Sequence, residues 1–319
     1  MAIVKKQWFL IGLILIFSLV IFDQSGTIAR AGIFLKQNHG APFMIFAIFI
    51  LSGMIIEIEQ IKAGIKDIKA TSSALLVIVI ISPIAAGIFA LIPMETGIIL
   101  GLFLVAVMPT TLSSGVVMTG QAGGNIAHAL FITILSNCVA IVSIPFILPM
   151  LLHSLNLKTD LYIDRTAIFI KLLLLVLLPL LIGLILNKKI LNISPKQKKQ
   201  FSITNQCIVL CIVYMSLSGA REMLIAKGSV FFVILPLVVG FHLVLLLASS
   251  GTSHLAAIGR GRREAVIFMG SQKTLPLAVM LQITCFPEYG TALLVCVLHH
   301  ITHLMIDGFI AVKIKVLSV

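Results

Sequence analysis

Apolar runs long enough to cross a lipid bilayer recur along the whole chain of 319 residues. A transmembrane helix needs about 20 consecutive, mostly apolar residues. Ten segments of the sequence meet this requirement: 7–22, 40–57, 73–92, 97–120, 125–152, 164–186, 202–219, 229–249, 255–284 and 290–311. We therefore predict an all-α membrane protein with ten transmembrane helices, in which residues 1–319 form a single transmembrane unit.

The composition and the charge distribution agree with a lipid environment. Hydrophobic residues make up 60% of the chain and charged residues only 11%, whereas a soluble domain carries about 25% charged residues. The net charge of +12 comes from lysines and arginines in short loops rather than from a basic patch with interleaved aromatics. We therefore expect the lipid bilayer as a partner and no nucleic acid. The five cysteines lack metal-ligand spacing and are expected to be core residues.

The N-terminus and the loop charges together predict the topology. The start of the chain, "MAIVKKQWFLIGLILIFSLVIF", is similar to a signal peptide, but the candidate cleavage motif "ARA" at 29–31 lies well beyond the apolar run. A retained first helix is the preferred interpretation. Basic residues concentrate in alternate connecting segments, such as Lys5–Lys6 and the 187–200 loop. The positive-inside rule then predicts an inner (plasma) membrane protein with both termini and this loop in the cytoplasm.

The chain is predicted to consist of two comparable halves, which we place at 1–155 and 164–316, with one polar interruption in each. In each half, the fourth apolar segment contains Ser, Thr, Gly and Pro residues, in "MPTTLSSGVVMTGQAGGN" (108–125) and in "MGSQKTLP" (269–276). Paired interruptions of this kind indicate a transporter binding site built from discontinuous helices. Helical hydrogen bonding is expected to lapse near Ser113–Gly115 and near Gly270–Lys273, where only a cavity, an ion or a polar side chain can satisfy the backbone.

The same motifs carry a resemblance to a known family. "MPTTLSSGVVMTGQAGGNIAHALFITILSN", "FMGSQKTLPLAV" and "LSGMIIE" resemble the SBF-like branch of the bile acid:sodium symporter superfamily, and the similarity spans nearly the whole chain. This resemblance implies a fold of ten helices in two inverted five-helix repeats, divided into a core domain and a panel domain. It also implies that the fourth and ninth helices unwind and cross in the core.

The resemblance also bears on ion coupling. Sodium-coupled members bind two Na⁺ ions around the crossing, and here Gln272 and Thr133 match a glutamine and a hydroxyl ligand. Phe268 stands in place of a glutamate ligand, and Ala129 in place of another hydroxyl ligand. Lys273 follows the glutamine where those members have a polar neutral residue. Sodium coupling is therefore open but not preferred, and coupling to H⁺ or to no ion ranks ahead of it.

Lys273 is the residue that most needs an explanation. A charged lysine at the centre of a spanning helix costs at least about 2.5–3.5 kcal/mol, and Lys273 lies about 15 Å along a helix from Arg263. That depth disfavours escape to the membrane surface. We interpret its ammonium group as a replacement for a missing cation, held by hydroxyls and carbonyls of the broken fourth helix and by Asn137 or Gln272. Asp307 is the nearest candidate carboxylate partner. Release of its proton during coupling, or direct pairing with an anionic solute, stays an alternative.

Polar residues near the two interruptions form the candidate site. The candidate substrate- and ion-binding residues are Thr111, Ser113, Ser114, Asn125, His128, Thr133, Asn137, Ser271, Gln272, Lys273 and Thr274. His128 and Asn137 share one helix face, so they either line the core or bond between helices. In "HHITH", His299 and His303 have the spacing of zinc ligands, but a structural or proton-relay role is preferred. No metal or cofactor is predicted.

These features predict a secondary transporter that moves an organic, anionic and amphipathic solute by alternating access. The alternative is a regulatory or scaffolding membrane protein that retains the fold without transport. An enzyme is not expected, because the sequence presents no nucleophile–base pair and no complete set of metal ligands. The sequence specifies neither the solute nor an oligomeric state.

Overall fold

The computed structural model describes residues 2–38, 40–56, 67–111, 114–154, 164–187, 193–226, 228 and 230–316. Within these ranges the regular structure is helical throughout. The helices are α1 (Ala2–Phe22), α2 (Thr27–Gln37), α3 (Gly40–Ile55), α4 (Ile68–Phe89), α5 (Thr96–Val107), α6 (Ser114–Gln121), α7 (Ile126–Ser154), α8 (Arg165–Leu186), α9 (Pro195–Ala226), α10 (Val230–Leu255), α11 (Arg262–Ser271), α12 (Leu275–Cys285) and α13 (Gly290–Val316).

Most of these helices are suited to a bilayer. In the described ranges, 7 helical spans are long and apolar enough to cross a membrane, or 8 if α1 and α2, which meet at 110°, are counted as one bent span. The α11–α12 pair counts here as one span, while α3 and α5 are apolar but shorter. The chain is therefore a multi-pass membrane protein. The count of ten spans stays a prediction.

Among the long helical spans of the described residues, the α11–α12 pair and α13 are the most buried. In the apolar stretch of α11–α12, 83% of residues are buried, and in α13 67%, compared with 28% in α8. Helix α13 packs against α5 and α10, and α11 packs against α4, α6 and α10. Helices α3, α8 and α9 pack together on another side, where Gly53 and Gly183 let the backbones of α3 and α8 touch. The polar interruption of α11–α12 thus lies in the interior.

Several predicted helix boundaries are wrong, each for a local reason. The ninth segment was predicted to start at 255, but α11 begins at Arg262, after a turn in which Gly261 adopts a φ of 85°. The seventh was predicted at 202–219, but α9 begins at Pro195, because Ser194 and Gln197 form a capping box. The loop predicted at 187–200 is correspondingly shorter. Helix α2 lies between the first two predicted spans, 7–22 and 40–57.

Both predicted interruptions are present, but a few residues away from the predicted positions. Ser114 and Gly115 already belong to α6, and the chain is non-helical at 108–111. Gly270 and Ser271 still belong to α11, and the second break covers 272–274. Prolines fix these positions: Pro109 disfavours a helical Met108, which is extended, and Pro276 lies in the first turn of α12.

Candidate functional site

The two helix breaks contact each other directly. The Thr274 amide donates a hydrogen bond to the Pro109 carbonyl at 2.9 Å. The Gln272 side-chain oxygen Oε1 accepts hydrogen bonds from Thr111 Oγ1 at 3.0 Å and from Ser114 Oγ at 2.8 Å. A buried backbone that leaves its helix must find other partners. Here each break supplies partners for the other.

Lys273 is buried against three backbone carbonyls. Its Nζ donates hydrogen bonds to the carbonyl oxygens of Ala106 at 2.9 Å, Met108 at 3.0 Å and Ile78 at 3.1 Å, and the residue is 2% exposed. An ammonium group has three donors and no acceptor. The three carbonyls therefore match the charged form of the side chain, with one acceptor for each donor.

The sources of these carbonyls explain why they are available. Ala106 and Met108 lie at the C-terminal end of α5, where carbonyls lack helical partners and the helix dipole is negative. Ile78 lies in a π-helical turn, Val77–Ile81, in which Ser82 N donates to Val77 O. The same register would pair Ile78 with Pro83, which has no N–H. Three carbonyl oxygens thus converge on one point, and a cation with hydrogen-bond donors, such as the Lys273 ammonium group, suits them.

Asp307 and Lys273 have different partners. Asp307 Oδ2 accepts a hydrogen bond from Gln272 Nε2 at 2.7 Å, and Asp307 Oδ1 lies 2.8 Å from His242 Nε2. All three side chains are fully buried. The expectations that Asn137 or Gln272 would hold the lysine and that Asp307 would pair with it are therefore wrong, because backbone carbonyls already occupy its three donors.

Four histidines form a cluster, and one of them, His242, contacts Asp307. The ring of His303 lies 5.9 Å from that of His242 and 5.6 Å from that of His299, centroid to centroid. His303 Nε2 is 2.8 Å from His300 Nδ1. His242 Nδ1, His299 Nε2 and His303 Nδ1 are buried without a hydrogen-bond partner. In the described residues, no group of three or more His, Cys, Asp or Glu side chains could hold a metal ion, so the zinc interpretation has no support.

A cavity of about 340 Å³ adjoins the breaks. Its polar wall contains side chains from both breaks and from α7 and α13, namely Thr110, Thr111, Ser114, Thr133, Asn137, Thr274 and His300. The lining that comes from α3, α8 and α9 is apolar except for Ser52, Ser202, Asn205 and Gln206. The cavity thus has an apolar body and a hydroxyl- and amide-rich side.

The predicted site residues fall into separate groups. Those that line the cavity are Thr111, Ser114, Thr133, Asn137 and Thr274, while Gln272 and Lys273 lie behind it. Three others, Asn125, His128 and Ser271, do not line the cavity. Asn125 is exposed and caps the first turn of α7 through the amide of His128, and Ser271 bonds to Ile267 O inside α11. Ser113 lies outside the described residues.

The sequence reading missed His242 and the partners of Lys273. His242 had a visible signal, because a lone histidine within the apolar run "VVGFHLVLLL" is an intramembrane ionisable residue. The carbonyls of Ile78, Ala106 and Met108 had none, because every residue carries a carbonyl. Only the fold selects which of them converge.

Comparisons with known proteins identify a family and named relatives. The model of the SBF-like CPA transporter family matches residues 7–316. The "Probable sodium/metabolite cotransporter BASS4, chloroplastic" of Arabidopsis thaliana is 31% identical over 279 residues, which are 82% of this chain and 63% of that protein. The "Sodium/bile acid cotransporter 7-B" of Xenopus laevis is 26% identical over 323 residues, 98% of this chain and 92% of that protein. The chain belongs to the SBF-like CPA transporter family.

Proposed function

We propose that this protein is a secondary transporter that moves an organic, amphipathic anion by alternating access, with the cavity beside the helix breaks as its solute site. The observation that carries the proposal is that two helix interruptions border one interior cavity. Relatives named as sodium/metabolite and sodium/bile acid cotransporters support it. Bile acids are themselves amphipathic carboxylates.

The chemistry of the cavity suits an amphipathic anion. The N-terminal residues of α6 and α12, Ser114 and Pro276, lie in its wall, and a helix N-terminus carries partial positive charge. The apolar residues of α3, α8 and α9 suit the hydrocarbon part of the solute. Direct pairing of the anion with Lys273 is not proposed, because carbonyls occupy the three donors of that side chain.

Lys273 acts in this proposal as a fixed cation in place of sodium. Carbonyls at the C-terminal end of a half-helix are the groups that coordinate Na⁺ in related architectures, and here an ammonium group occupies them. Phe268 and Ala129 bring no side-chain oxygen to this region. We therefore infer that coupling to H⁺ or to no ion is favoured over coupling to Na⁺.

We further propose ten spans arranged as inverted repeats, 1–155 and 164–316, with core and panel domains. The protein would lie in the inner membrane, with both termini in the cytoplasm. A cysteine at Lys196, an exposed residue near the start of α9, in a cysteine-free background should stay unlabelled by an impermeant maleimide in intact cells. Labelling from outside would contradict this topology.

Transport is tested with cholate, a bile acid, as the probe. Purified protein in liposomes should take up cholate, and Asn137→Trp should abolish uptake by filling the cavity. The matched control is Cys138→Trp, because Cys138 lies next to Asn137 in the same helix but is exposed and does not line the cavity. If no flux occurs while cholate binds, the scaffolding alternative is favoured. If both variants lose uptake equally, the cavity is not the solute site.

A further inference from the structure

Asp307 sits at the end of a chain of hydrogen bonds that starts in the cavity wall. Thr111 and Ser114 bond to one end of the Gln272 side chain, whose other end bonds to Asp307. An ionised carboxylate only accepts hydrogen bonds, so the amide nitrogen must face Asp307. The orientation of the Gln272 amide then follows from the charge of one carboxylate.

Ionisable side chains near Asp307 give it groups with which it can exchange a proton. His242 of α10 contacts it directly, and His299, His300 and His303 of α13 extend the cluster. The backbone of Lys273 lies within hydrogen-bonding reach of the His300 and His303 side chains. The charge of the Lys273 ammonium group acts on His299. In the described helices packed nearby, α5 and α6 carry no charged side chain. In α4, α9, α10, α11 and α13, the other charged side chains and His254 lie near helix ends, namely Lys69, Lys196, Lys198, Lys199, Arg221, Glu222, His254, Arg262, Arg263, Glu264, Lys313 and Lys315.

We propose that the Asp307–His242 pair binds the coupling proton, and that Gln272 transmits its occupancy to Thr111 and Ser114 in the solute cavity. This inference rests on the proposed function for the identity of the cavity as the solute site. Buried Asp and His residues in transmembrane helices commonly form proton relays in transporters. Here the state of the relay would act on the hydroxyls of Thr111 and Ser114, which line the solute cavity.

The proposed transmission follows from donor and acceptor rules. While Asp307 is ionised, Gln272 donates to it, and the hydroxyls of Thr111 and Ser114 direct protons to Gln272 Oε1. A proton from the aqueous side forms an O–H bond on the carboxylate, and the neutral acid can both donate and accept. The Gln272 amide is then free to turn and donate to the two hydroxyl oxygens. Their protons become available to an anion in the cavity.

A chain of imidazoles supplies a route for this proton. His300 lines the cavity and bonds to His303, whose ring is 5.9 Å from that of His242. An imidazole accepts a proton on one nitrogen and releases another from the second. The unpartnered Nδ1 atoms of His303 and His242 are the free acceptor positions that such a transfer needs. The predicted coupling is positive: proton and anion assist each other's binding, as in symport.

The proton site can be tested without any solute. Infrared spectra of the purified full chain are recorded across a pH series, and the carbonyl band of a protonated carboxylic acid is followed. This band should appear on acidification in wild type and in Asp164→Asn, a control at an exposed helix cap. The component that belongs to Asp307 should be missing in Asp307→Asn, while the other carboxyl groups of the chain still contribute to the band. If wild type and Asp307→Asn have the same spectra, the proton site is wrong.

A second variant guards against misfolding, and a second readout tests the coupling. His242→Gln should shift the pH at which the band appears, and an unchanged pH would overturn the role of the pair.

In weakly buffered solution, cholate binding to wild type should take up protons. Gln272→Leu should keep the infrared band and lose this uptake. Binding without proton uptake in wild type would overturn the coupling, whereas no cholate binding would count against the proposed function, with the infrared test still deciding the proton site.

Discussion

Lys273 and Asp307 are both buried, but they differ in how many hydrogen-bonding groups around them lack a partner. Each donor of Lys273 meets one backbone carbonyl, and those carbonyls belong to the rigid end of α5 and to α4. Asp307 is bonded at both oxygens, but its partner His242 and the neighbouring His299 and His303 retain unpartnered nitrogens. A saturated charge is held in place, whereas a charge with free acceptors beside it can exchange a proton. The first suits a structural cation and the second a coupling site.

The largest expected effect comes from removing the ammonium group. Lys273→Met keeps an unbranched stem but leaves three carbonyls without a donor, and each hydrogen bond to a charged group contributes about 1.5–3 kcal/mol. We expect a loss of several such contributions in the free energy of unfolding, measured by thermal unfolding in detergent. Lys171→Met is the matched control, because its Nζ donates to a single carbonyl, that of Thr284. Equal losses in the two variants would mean that the carbonyls around Lys273 are not specially arranged.

A smaller loss is expected from Lys273→Arg. The guanidinium group keeps the charge, but its donors form a planar fork that does not fit three carbonyls converging on one nitrogen. Its stability should fall between those of wild type and Lys273→Met in the same unfolding assay. Wild-type stability in Lys273→Arg would show that charge alone, without the geometry of the carbonyls, accounts for the site.

The sequence located this pair of charges better than it located their partners. The depth of Lys273 followed from its spacing to Arg263, and the two breaks followed from Pro and small polar residues in apolar runs. The break positions were off by a few residues, because Pro109 and Pro276 rather than the glycines set them. Asn125 and His128 were assigned because they adjoin the first interruption, but Asn125 caps the first turn of α7 through the His128 amide, whereas Thr133, between one and two turns after His128, contacts Thr111 O.

The partners depended on tertiary contacts that have no local pattern. Ile78 offers its carbonyl because a π-helical turn shifts the register onto Pro83. His242 meets Asp307 across a separation of 65 residues. A sequence reading can flag His242 as an unusual intramembrane histidine, but only the packing of α10 on α13 gives it a partner.

The hydroxyl end of the Asp307 chain should be less important for stability than for transport. Thr111→Val removes one of the two donors to Gln272 Oε1 and also the acceptor of the Gly115 amide, so we expect a loss of about 1–3 kcal/mol in unfolding free energy. Cholate uptake in liposomes should fall more severely. Thr284→Val is the control, since its hydroxyl bonds within its own helix to Met280 O. If the control reduces uptake as much, the hydroxyl of Thr111 has no special role.

The smallest expected effect is the response to sodium, and it tests most directly whether Lys273 replaces that ion. A cation beside the fixed ammonium would meet a repulsion of about 4 kcal/mol at 4 Å with an effective dielectric constant near 20. Thermal unfolding of the purified wild-type protein should therefore give the same midpoint in NaCl and in KCl at equal ionic strength. Lys273→Ala, which vacates the carbonyls, is the variant that could gain a sodium response. A midpoint that rises with Na⁺ but not K⁺ in wild type, and still rises in Lys273→Ala, would contradict the account.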